Sequence, residues 1–87
     1  MDIPKNVIGM NERIVWETTK VCLEYEGVNL TTVKFLDRDY KYIYTFVKKH
    51  NPVKATVIFE KFPKMEVESI LYDLREMHLV YFVREVK

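Results

Sequence analysis

From Asn51 to Val83 the chain reads NPVKATVIFEKFPKMEVESILYDLREMHLVYFV, and its two prolines, Pro52 and Pro63, divide what would otherwise be one long apolar segment. Proline lacks the N–H that a continuing helix needs, and it drives the preceding residue toward extended backbone. One continuous helix across this region is therefore excluded. Residues 54–62 instead predict a short helix with Val57, Ile58, Phe59 and Phe62 apolar, closed by Pro63. Beyond it, Val67, Ile70, Leu71, Leu74 and Met77 recur at helical spacing over residues 64–77. The run LVYFVREV, residues 79–86, then loses that period and reads as a strand.

Two further helices are expected upstream. From Asn11, a suitable N-cap, Ile14, Thr18, Val21 and Tyr25 mark a first helix that ends at Gly27. Residues 28–35, VNLTTVKF, are rich in β-branched side chains and read as a strand, with Asn29 also able to cap a short helix. Asp37 or Asp39 caps the next helix, whose inward stripe is Tyr40, Ile43, Tyr44 and Val47 and which stops at His50 before Asn51 and Pro52. The order is α-β-α-α-α-β: mainly α with a small β-sheet.

The order of a helix, NPV, a short helix, a tight break, a V-x-x-I-L-x-x-L helix and HLV entering a strand resembles the winged helix-turn-helix family, over about residues 40–83. That resemblance implies that residues 40–49 and 54–62 are the first two helices of the unit, residues 64–77 the recognition helix and residues 79–86 the first wing strand. It also implies DNA binding in transcription or replication. His78 stands where the family commonly has glycine, and histidine is among the residues that tolerate positive φ. The turn FPKME is short, with Pro63 or Lys64 in place of the usual Ser/Thr cap. With no hairpin after residue 86, the strand at 79–86 needs a partner from residues 28–35 or from NVI near residue 7, which predicts a reduced wing.

Size and charge bound the function. Eighty-seven residues, 48% hydrophobic, make one domain. A chain of this size removes only about 60 to 65% of its unfolded surface from water, so most large apolar side chains must serve the core. A net charge of +1 conceals a division: residues 1–33 hold three Lys/Arg against five Asp/Glu, residues 34–64 eight against three, and residues 65–87 three against five. Phosphate backbones respond to local positive charge. Lys41, Lys48, Lys49, Lys54, Thr56, Lys61 and Lys64 are thus either a track for the phosphates of double-stranded DNA or a solvated basic face, with Tyr42 at its margin.

The helix at 64–77 carries the opposite charge. Its outward side presents Met65, Glu68, Ser69, Tyr72, Asp73 and Glu76, and three carboxylates suit a major groove poorly. Met65, Glu68, Tyr72, Asp73 and Glu76 are better suited to contacting a protein partner, or form the solvent side of a core helix. On the first helix Trp16, Thr19 and Leu23 widen the apolar face beyond what one core needs, which predicts a homodimer, unless residues 28–35 or the N-terminal segment cover it.

Catalysis is not expected. One cysteine, Cys22, and two histidines, His50 and His78, show no metal-ligand spacing, and no glycine-rich phosphate loop or nucleophile motif occurs. Cys22 reads as a buried, inert thiol. No cofactor, metal, small-molecule substrate or membrane partner is expected. The absence of a basic and apolar leader together with the lone cysteine predicts a reducing, cytoplasmic setting.

Overall fold

The protein is described from a computed structural model, which covers residues 6–25 and 30–85. A 3-10 turn at Trp16–Thr18 leads into strand β1 (Thr19–Leu23), followed by helices α1 (Leu30–Lys34) and α2 (Arg38–His50). Strand β2 (Val53–Lys54), helices α3 (Ala55–Lys61) and α4 (Val67–Glu76), and strand β3 (Val80–Arg84) complete the order. The described residues thus hold four α-helices and a three-stranded antiparallel sheet of order β2-β1-β3.

β1 is the centre of that sheet. Val21 lies opposite Val53 on one side and Phe82 on the other, and Leu23 lies opposite Val80. Both faces of β1 are covered, so Thr19, Val21, Cys22 and Leu23 are all buried. The Thr19 hydroxyl, 1% exposed, donates to Val15 O at 2.7 Å, which satisfies a polar group that burial would otherwise penalise.

The expected first helix is therefore corrected: residues 16–18 form a 3-10 turn and 19–23 a strand. Of the positions 14, 18, 21 and 25 that suggested a helix only Val21 lies in β1, and because that strand is buried on both faces it lacks the alternation that would mark a strand. The residues expected at a dimer face lie on this turn and strand, not on a helix. Thr19 and Leu23 are buried within the chain, and the Trp16 ring packs 5.4 Å from Phe82 and Tyr72 and 5.5 Å from Phe59.

The strand expected at 28–35 is corrected as well. Leu30–Lys34 is helical and Phe35 lies in the turn after it, while Val28 and Asn29 lie outside the described residues, as does the expected terminator Gly27. β3 takes β1 as its partner on one edge. On the other edge Ile8 N–H donates to Phe82 O (2.8 Å), Arg84 N–H to Asn6 O (2.9 Å), and Val7 bridges Val83. The NVI segment is thus one of the two partners, and both edges of β3 are paired.

The helices pack as their stripes dictate. Ile43, Tyr44 and Val47 of α2, Ala55 and Ile58 of α3, and Val67, Ile70, Leu71 and Leu74 of α4 are buried against Val21, Leu79 and Phe82. Complete burial of each large aliphatic or aromatic side chain contributes about 1.5–3 kcal/mol. α4 starts at Val67, three residues later than expected, because residues 63–65 form the turn after α3, and the N-cap Glu66 makes no side-chain cap hydrogen bond.

α4 ends at a left-handed residue. His78 has φ 59°, its N–H bonds Arg75 O (2.9 Å), and Leu79 N–H reaches back to Leu74 O (3.0 Å). This is the Schellman closure, and Leu74 and Leu79 on either side of it are both fully buried. The closure turns the chain directly into β3.

Candidate nucleic-acid interface

The periodicity of α2 supplies two stripes rather than one. Ile43, Tyr44 and Val47 face the core, while Arg38, Lys41, Tyr42, Thr45, Lys48 and Lys49 remain exposed. Arg38, Lys41, Tyr42, Thr45, Phe46 and Lys49 join Phe62, at the end of α3, around an open groove of about 410 Å³. Its floor is aromatic: Phe46 lies 5.5 Å from Phe62, edge-on at 86°, and 4.5 Å from the His50 ring. No carboxylate lines it.

The remaining predicted cations are placed around the same half of the chain without lining the groove. Lys48 is in the last turn of α2, where cations favour the helix dipole. Lys54 ends β2 and pairs directly across the sheet with Lys20. Like charges placed opposite one another in a sheet are unfavourable unless solvent or an anion screens them. Lys61 and Lys64 are exposed at the end of α3 and in the turn beyond, and Thr56 is half-buried. Among the described residues the one ion pair joins Arg84 to Glu12, so none of these lysines is neutralised by a carboxylate. Lys41 Nζ is directed toward Lys34 O at 3.4 Å.

The residues expected to contact a protein partner on and before α4 are only partly at the surface. Met65 and Tyr72 are half-buried and pack on the core. Tyr72 belongs to a ring cluster with Trp16 and Phe82, over which Arg75 lies 4.9 Å from the Phe82 centroid and 5.5 Å from that of Tyr72. Glu68 accepts from Trp16 Nε1, and Asp73 accepts from the Tyr40 hydroxyl. The hydrogen bond to Asp73 raises the Tyr40 pKa above the ordinary phenolic value, with smaller contributions from burial and from the charges of Asp73 and Asp37. Glu66, Glu68, Ser69 and Glu76 are left exposed on this helix.

A second hollow, about 490 Å³, lies between Thr32, Phe35, Leu36, Asp37 and Tyr40 on one side and Asp73, Glu76 and Met77 on the other. Its three carboxylates repel phosphate, which separates it in chemistry from the α2 groove. Among the described residues no group of three His, Cys, Asp or Glu side chains is placed to hold a metal ion, and no helix is long and apolar enough to cross a membrane. Cys22 is buried on β1. Its pKa is raised, chiefly by burial, with the Tyr81 hydrogen bond and Lys20 opposing that shift.

Arg38, Phe46 and Phe62 were not among the expected binding residues. Their signal was present as the second stripe of α2, 38, 42, 45, 46 and 49, but the link to Phe62 depends on how α3 packs. Comparison of the chain with protein-family models, with curated proteins and with solved structures finds no match.

Proposed function

We propose that the protein binds nucleic acid through the phosphate backbone, using the exposed cations of α2 and of the segment from β2 to the turn after α3. The observation that carries this reading is the α2 groove: Arg38, Lys41 and Lys49 line it together, and no carboxylate shares it. Residues 38–64 hold seven Lys/Arg against two Asp/Glu, which concentrates positive charge in a chain of net charge +1. Local charge of this kind gives sequence-independent, salt-sensitive binding.

The winged helix-turn-helix resemblance supports the reading at the level of architecture. α2, α3 and α4 follow one another in the required order, and β1 stands beside β3 where a wing's second strand would stand. In this arrangement α4 is not a base reader, since Glu66, Glu68 and Glu76 would oppose the phosphates flanking a groove. A role in transcription or replication follows from the resemblance alone.

Titration of the pure protein with random-sequence duplex at low and moderate salt tests the proposal. Binding that weakens steeply with salt supports it, and failure to bind either duplex or a single strand at low salt rejects it. A second reading, a protein-interaction adaptor, is favoured by one observation: Phe35, the residue after α1, is 76% exposed and lines the acidic hollow.

A further inference from the structure

We propose that the α2 groove takes an unpaired base, so that the protein prefers single-stranded nucleic acid to duplex. The inference rests on the backbone-binding reading above and adds the part of the ligand that the cations do not explain. Tyr42 is 51% exposed and lines the groove beside Lys41, one residue away on the same helix. Phe46 and Phe62 line the same groove and add half-buried aromatic surface to it.

This combination of flat aromatic surface and cations selects for the ligand chemistry. A ring laid on Tyr42 needs an open face, and a base exposes its face only when it is not stacked in a duplex. Arg38 lies four residues before Tyr42 on α2 and Lys49 seven residues after it. At 1.5 Å per residue the cations therefore extend about 16 Å along the helix, with the aromatic surface between them. A short run of backbone can lie along that line while one base turns inward. A duplex would instead need an element for its groove, and the exposed side of α4 is acidic.

An acidic peptide carrying aromatic side chains shares the charge but not the regular alternation of phosphate and flat ring, so nucleic acid is the occupant the groove fits better. Lys20 opposite Lys54 adds a second place where two cations stand together with no ion-pair partner among the described residues.

Fluorescence anisotropy of labelled oligothymidylate and of a duplex of equal length, both at low salt, tests the inference on the full chain. Oligothymidylate should bind at least about tenfold more tightly, and Tyr42→Ala should weaken it by roughly 5- to 100-fold while changing duplex affinity less than about twofold. Lys41→Gln with Lys49→Gln should weaken both ligands. Circular dichroism confirms that each variant is folded.

Equal affinity for the two ligands, or a Tyr42→Ala variant that holds oligothymidylate as well as the parent does, overturns base stacking and leaves backbone binding in place. Failure to bind either ligand removes both proposals. Displacement of oligothymidylate by polyglutamate at equal charge would make the groove a site for acidic polymers in general and would likewise overturn the preference for a base.

Discussion

Trp16 Nε1 donates a 2.6 Å hydrogen bond to Glu68 Oε2 across 52 residues of sequence, joining the turn before β1 to the first turn of α4. The same indole sits among Phe59, Tyr72 and Phe82. Trp16→Phe keeps most of the ring packing and loses the donor, which should cost about 1 kcal/mol. Trp16→Ala should cost about 3 kcal/mol because the ring cluster is then left with a cavity. Urea unfolding monitored by circular dichroism measures both, and equal midpoints for parent and Trp16→Ala would show that the cluster does not hold the N-terminal segment.

At the end of α4 the left-handed backbone of His78 sets the chain's direction into β3. His78→Gly should be neutral or stabilising, since glycine adopts positive φ without a Cβ clash. His78→Val should lose about 1 to 3 kcal/mol from a β-branched side chain held in that region. Thermal melts of the two variants should separate clearly, and coincident melts would argue against this closure.

The Tyr40 hydroxyl donates to Asp73 and ties α2 to α4. Its pKa is raised in the folded chain, so the stabilisation is fully present below the unfolded phenolic value, near pH 10, and is lost as pH rises through the folded value. Tyr40→Phe should lower stability at neutral pH by at most about 1 kcal/mol, with solvent on the open side of the pair keeping it small. Above pH 10 the difference between parent and variant should shrink. A difference that grows with alkaline pH would contradict the hydrogen bond.

Changing Lys48, Lys49, Lys54 and Lys61 together to glutamine should weaken binding to unrelated DNA sequences and reduce the salt slope by about 0.9 for every phosphate that is no longer neutralised. These side chains are exposed, so the fold should survive. Glu66→Gln with Glu76→Gln should leave affinity equal or improved, because carboxylates near phosphate are unfavourable. A marked drop in affinity for the glutamate variant would mean that α4 reads bases after all.

Cys22 should react slowly with a thiol reagent at mildly alkaline pH and at the free-thiol rate once the chain is unfolded in urea. Burial between strands raises its pKa and blocks access, while Tyr81, opposite it on β3, hydrogen-bonds it. Equal rates with and without urea would place the thiol at an open surface.

α2, α3 and α4 could be read from the chain because their signals are local. Ile43, Tyr44 and Val47, then Val67, Ile70, Leu71 and Leu74, repeat at the helical period, and Pro52 and Pro63 interrupt the backbone regardless of what surrounds them. The left-handed position of His78 was expected from the winged helix-turn-helix resemblance, whose glycine it replaces, and its φ of 59° agrees with that expectation. The basic stretch from residue 38 to 64 is likewise a property of composition.

β1 was not legible in that way. TKVCL carries neither strict alternation nor a clear helical face, and its state is set by Val80–Arg84, about sixty residues on, and by Val53–Lys54. Tertiary pairing overrides weak local preference when a segment is buried on both faces. The five-residue α1 is short enough that its β-branched content misleads. Whether Tyr72 faces water or Trp16, and whether Phe62 meets Phe46, are questions of packing between distant segments. Periodicity assigns a residue to one side of its own helix, but only the assembled fold determines what covers that side.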